Sequence, residues 1–418
     1  DKLEKGRLAV DLLKELLPEW IQSLNFLKTM RWDNLRFARP IRWLVSLLGD
    51  EIVDVQLDTL RSDRQTYGHR SLSPQPLPLP DASFEGYIEC LRQIHVTVDH
   101  EERRKEIARQ VSAILRAEGC LERLDQELLD TVNFLVENPQ AIVGNFSESH
   151  LSLPTEVLIT PMKKHQRYFP MWKDEENLAA KFIAISNGTD GNFDGVRHGN
   201  ERVLHARLAD AEFFYSEDQK TSLVDKVDRL HNVVFQVKLG SLHDKTTRLK
   251  VLAADIANQI GVTEKATDQA VRAAWLCKAD LTTQMVVEFP SLQGVMGKYY
   301  AANSGEPHEV ALAIEEHYQP VAAEAPIPQT DVGAIVSLAD KIDTIVGYFG
   351  IGERPTGSQD PYSLRRHVIG AIRILHERNY RLPLTPVVEK AIELYPVDLA
   401  EDTITSVIDF IKGRMEVL

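Results

Sequence analysis

Cysteine is scarce in this chain of 418 residues: Cys90, Cys120 and Cys277 lie far apart and form no CxxC pair. A disulfide framework and a zinc ribbon are thereby excluded, and a reducing compartment is favoured. No run of about 18 uncharged apolar residues occurs, so no membrane-spanning helix is expected. The densest apolar run, Ile41 to Leu48, is short and carries Arg42. Basic residues are in deficit, 48 against 62 acidic, and the net charge of -14 argues against nonspecific coating of nucleic acid. Any such contact needs a local basic patch. Several catalytic loops are missing as well: no GxxxxGK(S/T), no GxSxG, no HExxH, and no GxGxxG after a strand. What remains is 43% hydrophobic and 26% charged, over a length that suits two or three domains at roughly 150 residues each.

The organisation is α+β, with mixed α/β modules in the first half and an all-helical second half. Arg7 to Leu17 carries apolar residues at helical spacing and is expected to stop at Pro18, while Ile52 to Leu57 alternates like a strand. Pro74, Pro76, Pro78 and Pro80 block helix and central strand, which predicts a loop or extended linker. A helical segment is inserted at about 81–140, where Ile107, Val111, Ile114 and Leu115 share one face. Strands are expected again at Glu156 to Thr160 and Phe182 to Ser186. The expected domains are 1–222, α+β with this insertion, and 223–418, all helical.

Basic residues interleave with aromatics from Met30 to Trp43, from Met162 to Phe169, and around Arg365, Arg366, Arg373, Arg378 and Arg381. Guanidinium and ammonium groups neutralise phosphates, and aromatic faces stack on unpaired bases. Lys163, Lys164, Arg167 and Tyr168, then Arg197, Arg202 and Arg207, are the candidate RNA contacts. Each group mixes donors with neighbouring aromatics or lies at helical spacing. Arg202 and Arg207 share a helix with Asp210 and Glu212, so structural pairing is an equal alternative. His243-Asp244, with Asp340 or Asp343 as a distant acid, would be a weak metal-phosphohydrolase signal, and no metal is expected. Gly347 to Arg354 has the glycines and Glu-Arg end of a class II ATP-binding motif, but the helix-breaking stretch Pro355 to Pro361 follows at once, so a loop between helices fits better.

The chain resembles the β subunit of the bacterial heterotetrameric glycyl-tRNA synthetase. The resemblance is carried by Phe37-Ala-Arg-Pro-Ile-Arg-Trp43, Gly68-His-Arg70, Met162-Lys-Lys-His-Gln-Arg-Tyr-Phe169 and Gly199-Asn-Glu-Arg-Val-Leu-His-Ala-Arg207. It continues through Lys238 to Lys245, Cys277-Lys-Ala-Asp280, Gln293 to Gly297, Ala339 to Asp343 and Pro355 to Pro361. It implies a subunit of an α2β2 ligase whose α subunit makes glycyl-adenylate from glycine and ATP, with ATP and magnesium used there and no cofactor or catalytic residue in this chain. The partners it implies are the α subunit and tRNA(Gly), in the cytoplasm or alternatively an organelle. It further implies that the helical half is similar to HD phosphohydrolases, and that an anticodon-binding domain and an N-terminal piece lie outside this chain, which starts at Asp1 without methionine. Alanine at Ala279 stands where the resemblance would place a metal-binding histidine. Asp280 and Asp340 are therefore expected to cap helices or to pair with Lys278 and Lys341.

Overall fold

The computed structural model describes residues 6–188, 191–357 and 359–416. The chain forms two compact units, one of Asp1–Glu148 with Met162–His205 and one of Ser149–Pro161 with Ala206–Leu418. The observed architecture is mixed α+β with a helical C-terminal region.

In the first unit the opening helix, Ala9–Ser23, runs through Pro18 and does not stop there. A proline inside a helix removes one hydrogen bond and crowds the preceding turn, and Glu19 to Ser23 restore the helical path beyond it. The strand expected over Ile52 to Leu57 is split. Glu51–Ile52 pairs with Leu47–Leu48, and Gln56–Leu57 pairs with Leu60–Asp63. Between them the buried Ser62 hydroxyl donates to Val53 O at 2.7 Å and accepts from the Val55 amide at 2.8 Å. The proline run becomes an extended strand, Pro76–Pro78, paired only with Gln65–Tyr67, a position where missing amide donors cost little.

The inserted segment folds into Phe84–Gln93, His100–Ala117 and Gln126–Asn133, capped by Ser83, Asp99 and Asp125. Ile107, Val111 and Leu115 bury one face against Leu129, Val132 and a three-stranded antiparallel sheet. In that sheet Leu178–Asn187 is central, flanked by Pro139–Asn145 and Phe169–Trp172.

Glu156 to Thr160, expected as a strand, is the helix Thr155–Thr160, continued by a π-helical turn over Pro161–Gln166. A short apolar run has no period that separates a strand from a buried helix, and here Val157 and Leu158 are both buried.

The second unit is organised around the helix Asp331–Gly350, in which every residue from Val332 to Gly350 is buried. A helix covered on all sides has no polar face to spend, yet this one carries Ser337, Asp340, Lys341, Asp343 and Thr344. These groups must find partners inside the protein. Leu242–Ile260, Glu264–Leu276, His308–Glu316 and Leu364–Glu377 pack around it. Gly347 permits close packing, since a Cβ there would stand 2.3 Å from the Tyr395 hydroxyl. The Gly347 to Arg354 stretch is the end of this helix and the loop after it, and Arg354 pairs with Asp402 at 2.7 Å. Ser358 of the neighbouring motif lies outside the described residues.

Candidate functional site

The candidate RNA contacts fall into two kinds. Lys163 is ion-paired to Asp125, whose carboxylate also caps the helix Gln126–Asn133. Tyr168 is withdrawn from solvent: its ring stacks on Phe182 at 4.6 Å and its hydroxyl donates to Asn200 Oδ1 at 3.1 Å. Burial pushes that hydroxyl up to about 12. Arg197 pairs with Asp194 one turn away, and Arg207 reaches Glu288 at 3.4 Å. Lys164, Arg167 and Arg202 are exposed and make no ion pair among the described residues. Arg167 occupies the left-handed region at φ 59°, and its guanidinium donates to Lys163 O at 3.3 Å. Arg202 lines a shallow depression with His198, Glu201, His205 and Asn145.

A larger set of exposed cations lies on the Met30–Trp32 and Leu35–Phe37 hairpin and the segment after it. Arg31 and Arg36 stand directly opposite each other across the two strands. Like charges in that position repel, and an anion laid over the pair relieves the repulsion. Arg39 and Arg42 follow, also exposed, and none of the four arginines is ion-paired among the described residues. Trp43 is 41% exposed beside them. The interleaving of Arg and Trp was visible in the sequence. The missing signal was cross-strand register, which only pairing reveals.

The helical unit contains a second cluster, buried and ionic. Asp343 receives Lys245 Nζ at 3.0 Å and Arg248 at 2.7 and 3.2 Å. Asp340 stands 3.0 Å from the same lysine and 3.1 Å from Lys278. Lys278 donates also to His317 Nε2 at 2.8 Å, while His317 Nδ1 donates to Ile314 O. Each carboxylate is thus held by two cations, and their charges keep both below the usual carboxylate range despite burial. Asp280 takes a different part. Its Oδ2 accepts the Gly294 and Gly297 amides at 2.6 and 3.2 Å, and burial pushes it up to about 6.

Two of the expected roles are met: Asp340 pairs with Lys278, and Asp280 caps the helix Val295–Asn303 through the Gly294 and Gly297 amides. Asp340 pairs in addition with Lys245, and Lys341 makes no ion pair with a carboxylate among the described residues. Its ammonium donates to Gln319 O at 2.7 Å and Ser337 Oγ at 2.6 Å. His243 and Asp244 do not meet Asp340 or Asp343. Asp244 forms a capping box with Ser241, and its carboxylate and the rings of His231 and His243 bring their ligand atoms within 4.8 Å of one another.

The family model described as the glycyl-tRNA synthetase beta subunit matches residues 1–418. The chain belongs to this family. The glycine-tRNA ligase beta subunit of Moorella thermoacetica is 45% identical over 426 residues, covering 99% of this chain and 61% of the relative. That of Desulforamulus reducens is 46% identical over 422 residues, covering 99% and 60%, and that of Geobacter sulfurreducens 45% over 418 residues, covering 98% and 60%. The chain spans about 60% of the length of the curated relatives it matches. Among the described residues no helix is long and apolar enough to cross a membrane.

Proposed function

We propose that this chain works within a glycine-tRNA ligase as the part of the β subunit that grips tRNA(Gly) and helps place its 3′ end in the class II site of an α subunit. The observation that carries this reading is identity near 45% sustained over 98–99% of the chain with proteins of that name. The exposed arginines Arg31, Arg36, Arg39 and Arg42, none in an ion pair among the described residues, with Lys164, Arg167 and Arg202, support the RNA half of it.

The contribution is positioning. Phosphate contacts fix the register of the tRNA, and a terminal ribose hydroxyl held against the adenylate reacts as if at high effective concentration. Activation of glycine, with ATP and magnesium, belongs in this reading to the α subunit of an α2β2 assembly. The helical unit, similar to HD phosphohydrolases in the resemblance, serves as scaffold, a reading supported by Lys278 Nζ, which bridges His317 and Asp340. The proposed compartment is the bacterial cytoplasm.

The test is glycylation of tRNA by purified α subunit, with and without this chain and the full-length β subunit, alongside binding of labelled tRNA(Gly) to the chain across a salt series. Restored charging with the full-length subunit and salt-dependent binding by the chain are expected. Absence of both would overturn the reading.

A further inference from the structure

A cavity of about 230 Å³ opens in the helical unit beside the buried ionic cluster, and Lys341, Arg366, His367, Tyr318, His317 and Asp340 line it. Its charges do not balance. Lys245, Arg248 and Lys278 already outnumber Asp340 and Asp343, and Lys341, 3% exposed, adds a fourth buried cation with no ion-pair partner among the described residues. Asp280, pushed up to about 6 by burial, carries charge at neutral pH but is held by the Gly294 and Gly297 amides and makes no ion pair with these cations among the described residues. An uncompensated buried charge costs roughly several kcal/mol unless a counter-ion enters or the group gives up its proton.

The groups facing the cavity say which counter-ion fits. Two of the three Lys341 protons are taken by Gln319 O and Ser337 Oγ, which leaves one donor. Burial, with the charges of Lys278, Arg366 and Lys245 close by, pushes this lysine down to about 7. Arg366 at the rim is exposed and has no ion pair among the described residues. His367, held neutral by burial, offers one ring N–H, and the Tyr318 hydroxyl is buried without a hydrogen-bond partner among the described residues. Asp340 does not repel an anion strongly, because Lys245 and Lys278 already neutralise it. One ammonium, one guanidinium fork and two neutral donors around a single space suit the three terminal oxygens of a phosphate dianion better than a planar carboxylate. Pockets for drug-sized molecules run roughly 300–1,000 Å³, so this one takes a head group and not a whole nucleotide.

We infer that the cavity bounded by Lys341, Arg366, His367 and Tyr318 is a binding site for a phosphate monoester group. The phosphate can come from a small metabolite or from the end of an RNA, and the inference does not rest on the proposed function. The experiment is calorimetric titration of the full chain with inorganic phosphate, and separately with tRNA carrying or lacking its 5′-phosphate. One phosphate per chain is expected, with affinity at least ten-fold weaker in R366A and K341M and unchanged in R381A, an exposed arginine outside the cavity. Phosphate should also raise the melting temperature of the parent and not of R366A, a comparison that stands even if K341M fails to fold. A ten-fold preference for 5′-phosphorylated tRNA, lost in R366A, assigns the site to RNA ends; saturation by inorganic phosphate alone assigns it to small molecules. No saturable heat with either ligand, or R366A binding like the parent, overturns the inference.

Discussion

Lys245 Nζ lies 3.0 Å from Asp343 Oδ2, and both side chains are all but removed from solvent. Arg248, nearly one turn further along the same helix, closes on Asp343 Oδ1 at 2.7 Å, so a single carboxylate anchors two cations of Leu242–Ile260 to the central helix. Breaking a buried pair by removing one partner leaves an uncompensated charge and costs ~3–5 kcal/mol. Asp343→Ala leaves Arg248 without a carboxylate and Lys245 with Asp340 alone, so urea denaturation should show a loss in that range. A loss under about 1 kcal/mol, the scale of a surface pair, would mean that water reaches the cluster.

Lys341 makes stability depend on pH in a set direction. Its folded pKa, about 7, lies below the ordinary lysine value, with burial the largest cause, Lys278, Arg366 and Lys245 adding to it, and Asp340 opposing. Above about pH 7 the folded chain has released a proton that the unfolded chain keeps up to ~10.4. Stability therefore rises with pH across that window, and the penalty is fully present below it. The free-energy difference between parent and K341M, measured without phosphate at pH 6.5 and pH 9, should shift by about a few kcal/mol in favour of the parent at the higher pH. A difference independent of pH would refute this.

Gly347 should tolerate no side chain. A Cβ there meets the Tyr395 hydroxyl at 2.3 Å, and that hydroxyl donates to Asp343 O at 2.8 Å. Overpacking of this kind costs ~1–3 kcal/mol, so Gly347→Ala should lower the denaturation midpoint accordingly. Tyr395→Phe combined with Gly347→Ala should recover part of the loss, since the shortest contact is with the hydroxyl.

For RNA, the exposed arginines and the buried tyrosine should separate cleanly. Arg31→Ala and Arg36→Ala should each weaken tRNA binding across sequences and lower the salt slope by about 1, with no loss of stability, because each removes a like-charge cross-strand contact. Tyr168→Phe should cost ~1 kcal/mol of stability by deleting the bond to Asn200, and leave tRNA affinity unchanged. Filter binding across a salt series, paired with thermal melts, checks both. Unchanged binding in the Arg31 and Arg36 variants would remove the hairpin from the interface.

Much of this protein was legible in its residues. The motifs from Phe37 to Pro361 carried the family, the Ile107, Val111 and Leu115 face predicted its helix, and Asp99 and Asp125 stand where helix caps belong. Such features depend on neighbours within a turn or two, where spacing alone sets geometry. Pro18 and Glu156 to Thr160 misled because one proline and one short apolar run leave two conformations close in energy, and packing chooses between them. The site was less legible. Lysines at 278 and 341 and aspartates at 280 and 340 suggested simple pairs, but Lys245 reaches Asp343 across 98 positions and Lys278 reaches Asp340 across 62. Nothing in local spacing encodes such partners. The order of residues was enough for the family and for the helical character of the second half; that these charges are buried, which cation neutralises which carboxylate, and that Lys341 is left facing a cavity depended on tertiary packing, because a charge in a low-dielectric interior answers to whatever folding brings within a few ångströms.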